Sequence, residues 1–237
     1  MARWYCIPPA NYLEMMKEWP YHMIIAPHAI GFDWAHDKYH RFYSHNIDLH
    51  TIIDNGLWEG HVIDNERLLR LANLFHCEEI VAPDSKYGKV TLKRTKEFFK
   101  YLRKQGQRKD FEIHGVVHGG NMDDQLWCLR GLLDLGVDII DLPKWFGAEY
   151  RTNFLNSIST MLYENDTPVH YLGFYREELP LLKGKPLYIC DHDVRSFDTS
   201  VPFKPKYGSK FQLDLPSTWW NNTVIKRRVR SYKRLYQ

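Results

Sequence analysis

Short apolar runs, each closed by a proline or a polar turn, alternate along this chain with longer stretches whose apolar residues recur every three to four positions. The short runs read as β-strands at Arg3–Ile7, Met23–Ala26, Thr51–Asp54, Glu79–Pro83, Glu112–His118, Val137–Leu142, Pro168–Phe174 and Val194–Ser200. The longer stretches predict helices. Asn11–Trp19 places Leu13, Met16 and Trp19 on one side, and Asn65–Phe75 does so with Leu68, Leu69, Leu71, Ala72 and Phe75. Thr91–Gln105 carries Phe98, Phe99 and Leu102 among lysines and arginines; Asp123–Leu135 ends at Gly136; Arg151–Tyr163 follows. His28–Asn46 is polar and aromatic and reads as a long loop with a helical piece. Glu177–Cys190, interrupted by Pro180, Gly184 and Pro186, fits neither pattern.

Strand followed by helix, in units near thirty residues, is the pattern of βαβ units and a parallel sheet. Eight such strands predict an α/β fold of the (β/α)8 TIM-barrel class over residues 1–203, with residues 204–237 as a short basic C-terminal extension. A doubly wound open sheet is the alternative, because the strand count depends on Arg3–Ile7. The length of 237 residues suits one barrel domain.

The strands share a grammar at their ends. Thr51–Ile53 runs into Asp54 and then the turn Asn55-Gly56; Val81-Ala82-Pro83 runs into Asp84. Val116-Val117 runs into His118-Gly119-Gly120, Ile139-Ile140 into Asp141, and Val194–Phe197 into Asp198. Polar groups at C-terminal strand ends are where α/β folds place their chemistry, so these ends predict a ring of loops converging on one site. Asp54 and Asp198 facing each other across a barrel mouth can divide labour as nucleophile and general acid or base, a pairing suited to glycosyl transfer. The bland alternative is that each acid caps the following helix. Gly119 and Gly120, lacking Cβ atoms, let backbone approach a flat ligand, or simply make a tight turn. Trp58 is placed to stack on a base, or to fill the rim.

Composition narrows the classes. Apolar residues make up 44% and aromatics 15% of the chain, including eight tryptophans, enough for a large core. No apolar run reaches membrane-spanning length, and the first residues lack the apolar centre of a signal peptide, so a cytoplasmic protein is expected, with no membrane partner. Cys6, Cys77, Cys128 and Cys190 are too widely spaced for a zinc knuckle or redox pair and read as buried thiols. His36 and His40, and Asp191-His192-Asp193, form no HExxH or comparable set, so no catalytic metal is expected. Neither a GxGxxG nor a P-loop occurs, so no nucleotide cofactor is expected. The net charge is only +3, yet Lys226, Arg227, Arg228, Arg230, Lys233 and Arg234 crowd the C-terminus without an acid. That is a nucleic-acid footprint. The alternative is a closing helix packed through Val224, Ile225, Val229 and Leu235.

These segments together resemble a known family. TIIDNG at Thr51–Gly56 is similar to the LTDSGG segment of the tRNA-guanine transglycosylases, and VAPDS at Val81–Ser85 to their strand ending in a base-reading aspartate. GVVHGG at Gly115–Gly120 resembles their GIVQGG, HYLGF at His170–Phe174 their RYLMGV, and SFDTSVP at Ser196–Pro202 their nucleophile segment MFDCVLP. The resemblance implies a barrel that exchanges a base at C1′, with Asp198 as nucleophile and Asp54 as general acid/base. It further implies that Asp84, His118 and the Gly119-Gly120 backbone read the purine edge, with Trp58 stacked on it. The family's CxCxxC zinc motif is absent, its glycine pair after strand six is Leu142-Pro143-Lys144, and its glutamine is His118. With the short chain and the DTSVP segment, this looks more like the phage-type DNA-guanine transglycosylases, which insert a 7-deazaguanine into DNA as a shield against restriction and would act in the host cytoplasm. The partners then implied are DNA and a 7-deazaguanine base. Alternatives are the same exchange on tRNA, a barrel glycoside hydrolase using Asp54 and Asp198, and a non-catalytic nucleic-acid-binding barrel.

Overall fold

The computed structural model describes residues 3–30, 33–57, 60, 63–173, 188–189 and 192–199. Trp58, the ambiguous stretch up to residue 187 and the whole basic extension lie outside the described residues. Eight parallel strands form the wall: β1 (Arg3–Cys6), β2 (Tyr21–Ile25), β3 (His50–Asp54), β4 (Glu79–Val81), β5 (Glu112–Val116), β6 (Ile139–Pro143), β7 (Val169–Leu172) and β9 (His192–Thr199). A short β8 (Tyr188–Ile189) pairs antiparallel with β9. Each strand of the wall bonds to the next, and β9 bonds to both β7 and β1, with Arg3↔Ser196 through Cys6↔Thr199 in register. The sheet therefore closes on itself as a (β/α)8 barrel, and the open-sheet alternative is excluded.

Helices cover the outside where the periodicity placed them, with ends shifted by a few residues: α3 (Asn65–Leu74), α4 (Gly88–Lys104), α5 (Met122–Leu135) and α6 (Ala148–Glu164). Local chemistry sets their limits. Asp64 caps α3 by accepting from the Arg67 N–H at 2.7 Å, and Asn121 caps α5 by accepting from Asp124 at 2.9 Å. Gly136 stops α5 in the left-handed conformation. Asn11–Trp19 is instead a 3-10 helix over Ala10–Met16. The segment His28–Asn46, expected to be mostly loop, is mostly helical: α1 (Ala26–Ile30) and α2 (Asp33–His45). Tyr39, Phe42 and Tyr43 give α2 a buried face, which its many polar residues disguise.

Two interiors result. Between wall and helices lies the larger apolar core, with Ile24, Ile53, Ile80, Ile113 and Ile140 on the strands facing Leu68, Phe98, Leu129 and Phe154 on the helices. Inside the barrel a smaller cluster of Tyr5, Met23, Ile25, Ile52, Val81 and Val116 shares the lumen with Glu79, His114, Asp141, His170 and Ser196, all fully buried. Cys6, Cys77 and Cys128 are buried thiols. Among the described residues no helix is long and apolar enough to cross a membrane.

Candidate active site

Asp198 ends β9 on the inward side, in register with Tyr5, and is 4% exposed. Its Oδ1 accepts from the Gly173 N–H at 2.8 Å and lies 3.2 Å from His170 Nε2. His170 Nδ1 lies 2.8 Å from Ser196 Oγ, which fits a ring that donates to Asp198 through Nε2 and accepts from the serine. Gly173 has φ +70, a conformation that favours glycine. Behind it the fully buried Arg151 of α6 donates to the carbonyls of Gly173 at 2.9 Å and Leu142 at 3.2 Å, with its guanidinium 4.0 Å over the Tyr171 ring. The carboxylate of Asp198 is thus fixed through one oxygen by a backbone that is itself clamped.

Asp84 follows β4, and β4 stands halfway round the wall from β9. Asp84 Oδ2 lies 2.6 Å from His118 Nε2, and both residues are buried. Asp84 Oδ1 and His118 Nδ1 are buried without a hydrogen-bond partner among the described residues. Leaving such an atom unsatisfied costs ~1–3 kcal/mol, and the pair keeps the capacity for two further hydrogen bonds. The indole of Trp145 stacks on His118 with ring centroids 5.8 Å apart and planes at 15°, and is itself 42% exposed. Beside it a cleft is lined by Asn55, Leu57, Pro83, Asp84 and Arg94, whose Nη1 donates to the Asp84 carbonyl.

The remaining predicted residues fall differently. Asp54 does sit at the end of β3, half-buried, and its Oδ1 accepts from the Gly56 N–H at 3.0 Å, making an Asx turn. By strand order Asp84, rather than Asp54, stands directly across from Asp198. Gly119 is needed for packing: a Cβ there would come within 2.6 Å of the Gln125 nitrogen and 2.8 Å of Asp124, both in the first turn of α5. Gly120 is exposed with room for a side chain. Asp141 leaves the predicted ring of mouth acids, because it is fully buried in the lumen with Oδ1 2.7 Å from His114 Nδ1. Trp58, Lys226, Arg227, Arg228, Arg230, Lys233 and Arg234 lie outside the described residues.

The lumen holds a network that the sequence reading missed. His114 Nε2 lies 2.6 Å from Glu79 Oε2, and Glu79 also accepts from Tyr5 at 3.0 Å, Arg195 at 2.8 Å and His50. Burial disfavours a charged His114, but Asp141 and Glu79 on either side outweigh it and push its pKa up to about 10. Burial likewise opposes charge on Glu79, and the bonds from His114 and His50, with the nearby cations, overcome it and hold its pKa below the ordinary range. The signal was present: Glu112, His114, Val116 and His118 alternate, so polar residues sit on the inward face of a run that reads as apolar. Trp145 was missed because Leu142-Pro143-Lys144 reads as a lost glycine pair, whereas β6 runs to Pro143 and a 3-10 turn, Lys144–Phe146, swings the indole over His118.

No protein-family model matches the chain, and no curated protein matches it. Solved structures do. A protein described as a lyase/mutase from Burkholderia cenocepacia J2315 aligns with a TM-score of 0.51 at 15% identity, over 84% of this chain and 76% of that one. The glycerol uptake operon antiterminator regulatory protein of Listeria monocytogenes str. 4b F2365 aligns at 0.49 and 11% identity, over 84% and 91% of the two chains. N-acetylneuraminate lyase from Mycoplasma synoviae aligns at 0.48 and 11%, over 84% and 68%. The first likeness shows the barrel fold and nothing finer. None of the three is described as a transglycosylase.

Proposed function

We propose that the protein is a guanine transglycosylase that exchanges guanine in DNA for a 7-deazaguanine through a covalent intermediate on Asp198. What supports the reading is one arrangement: an anchored carboxylate on β9 faces, across the mouth, a carboxylate–imidazole pair with unsatisfied buried atoms. In the proposed reaction the free oxygen of Asp198 attacks C1′ as the C1′–N9 bond breaks. Asp54, as the acid, gives the departing guanine its proton. The incoming deazaguanine then returns a proton to Asp54, attacks C1′ and releases Asp198. His170 and the Gly173 N–H stabilise the Asp198 carboxylate before attack and after release. Asp84 Oδ1, an acceptor, suits the N1–H and N2–H edge of guanine, and His118 Nδ1 is a second polar position beside it. Trp145 offers an exposed aromatic face at the same rim, where a base can stack.

The same residues serve exchange on tRNA, and the choice of DNA rests on the sequence resemblance. The deciding experiment is mass spectrometry of nucleosides from DNA and from tRNA of cells that express the chain with a deazaguanine supply. A deazaguanine nucleoside in DNA, absent with Asp198→Ala, is the expected result. Its appearance in tRNA alone would reassign the substrate, and its absence from both would remove the proposal.

A further inference from the structure

Residues 86–109 contain ten lysines and arginines and a single acid, Glu97, in a chain whose whole formal charge is +3. The cations are sorted by face. Thr91, Thr95, Phe98, Phe99 and Leu102 of α4 pack against the barrel. Lys86, Lys89, Lys93, Lys96, Lys100 and Lys104 are all exposed, three or four residues apart, so they form one row along the outer face. From Lys89 to Lys104 that row is ~22 Å long at the helical rise. Among the described residues its one ion pair is Lys93 with Glu97 at 4.0 Å, and both groups are exposed.

Helix stability does not explain this pattern. Successive lysines on one face repel each other, and Lys86 and Lys89 stand at the positive end of the helix dipole. The row also has a definite origin. It starts at the barrel mouth, where Arg94 of the same helix lines the cleft beside Asp84, and where Tyr87, 73% exposed, projects between Lys86 and Lys89. A cationic row with a single exposed ion pair among the described residues, and an exposed aromatic at its mouth end, matches a sugar–phosphate backbone with a base to stack. The exposed Tyr87 ring beside the Asp84 cleft favours a strand that has bases to stack over a membrane surface that offers charge alone.

We propose that the outer face of α4 is the docking track for a nucleic-acid strand, with Lys89, Lys93, Lys96 and Lys100 on its phosphates and Tyr87 stacked on a base next to the one held at the mouth. The placement of a target base at the mouth rests on the proposed base exchange; the track itself stands on charge and exposure alone.

The test uses the full chain carrying Lys89→Glu, Lys93→Glu, Lys96→Glu and Lys100→Glu. All four are exposed, so the melting temperature should hold, and circular dichroism checks this. Binding of a fluorescent single-stranded oligonucleotide and of its duplex is measured against salt, beside wild type, Asp198→Ala and Tyr87→Ala. We expect the fourfold variant to bind at least about 100-fold more weakly near 0.1 M salt. Its log–log salt slope on the single strand should fall by about 3, at ~0.7 per lost phosphate contact. Asp198→Ala should keep the wild-type salt slope, because a carboxylate makes no phosphate contact, and Tyr87→Ala should lose several-fold on the single strand only. A wild-type slope in the fourfold variant overturns the track, whatever chemistry the mouth performs. Binding to phosphatidylserine vesicles without oligonucleotide binding also overturns it. A track that passes while no modified nucleoside forms refutes the base exchange and leaves the track standing.

Discussion

Two imidazoles of this barrel are held by carboxylates at 2.6 Å, and they differ in what is left over. In the lumen both ring nitrogens of His114 are taken, by Glu79 and by Asp141. At the mouth His118 gives one nitrogen to Asp84, and the other nitrogen and the second carboxylate oxygen have no partner among the described residues. The same pair of side chains is mortar in one place and, in the proposed function, a socket in the other. Burial does not distinguish them, since all five carboxylate and imidazole residues are inside. The difference lies in the imidazole: His114 bonds through both nitrogens and His118 through one, while each site leaves one carboxylate oxygen, Asp141 Oδ2 or Asp84 Oδ1, without a partner among the described residues.

Substitutions should separate the two regions cleanly, and the largest effect belongs to the mouth's anchored acid. Asp198→Ala is expected to lower guanine exchange by at least ~10³-fold and to abolish any covalent nucleic-acid adduct, read by incorporation of labelled guanine and by denaturing gel. Asp198→Ala that exchanges at the wild-type rate would sink the proposed mechanism. Next comes the lumen. His114→Gln removes the cation between Glu79 and Asp141 and should destabilise the fold by ~3–5 kcal/mol, measured by denaturant unfolding.

The pH profile sharpens the same contrast. The folded pKa of His114, about 10, lies above its ordinary 6.5, so its stabilisation is complete below 6.5 and is lost as pH rises toward 10. Glu79 is depressed, so its contribution is present above its ordinary 4.5 and is lost as pH falls through the lowered value. Melting temperatures of the wild type should therefore decline on the alkaline side, and in His114→Gln that decline should be shallower. Equal alkaline slopes would mean that His114 is not the cation of the lumen.

Smaller effects are expected from Asp84→Asn. It keeps the shape but, in the proposed exchange, turns an acceptor into a donor toward guanine N1–H, so KM for the base should rise by ~10-fold or more, while stability changes by less than ~1 kcal/mol. A stability loss as large as that of His114→Gln would make the mouth pair a second piece of mortar. The mildest is His170→Asn, which retains a donor toward Asp198. It should lower kcat a few-fold with little change in KM, and His170→Phe should lower kcat much further.

How much of this could be read in advance follows from what each residue faces. The wall was legible because β-prone runs ended at Asp54, Asp84, His118 and Asp198, and because Leu68–Phe75 and Phe98–Leu102 kept helical spacing. Asp198 and the Asp84–His118 pair were legible for the same reason, as polar residues at strand ends. The clamp was not. Arg151 reads as one cation on an amphipathic helix, and only the fold brings it to the Gly173 carbonyl. His114 and Glu79 hide inside β-prone runs, where inward and outward positions are known only once the barrel has closed. The α2 helix was masked by its polar surface, and the lysine row of α4 by the more conspicuous basic extension.

The lumen's wiring also dictates the order in which this chain can become itself. Glu79 finds its partners at sequence separations from 29 residues, for His50, to 116, for Arg195. A nascent chain that has made only its first four strands holds in β4 an acid, Glu79, that lacks His114 and Arg195, and that acid keeps its water. Loop closure over such spans is entropically slow. Early strands therefore gain little by drying their inner face, and desolvation of the lumen waits for the last strand to arrive. Folding of this barrel is set up as a late, all-or-none closure rather than a strand-by-strand zipper, and an isolated half-barrel should remain open and hydrated.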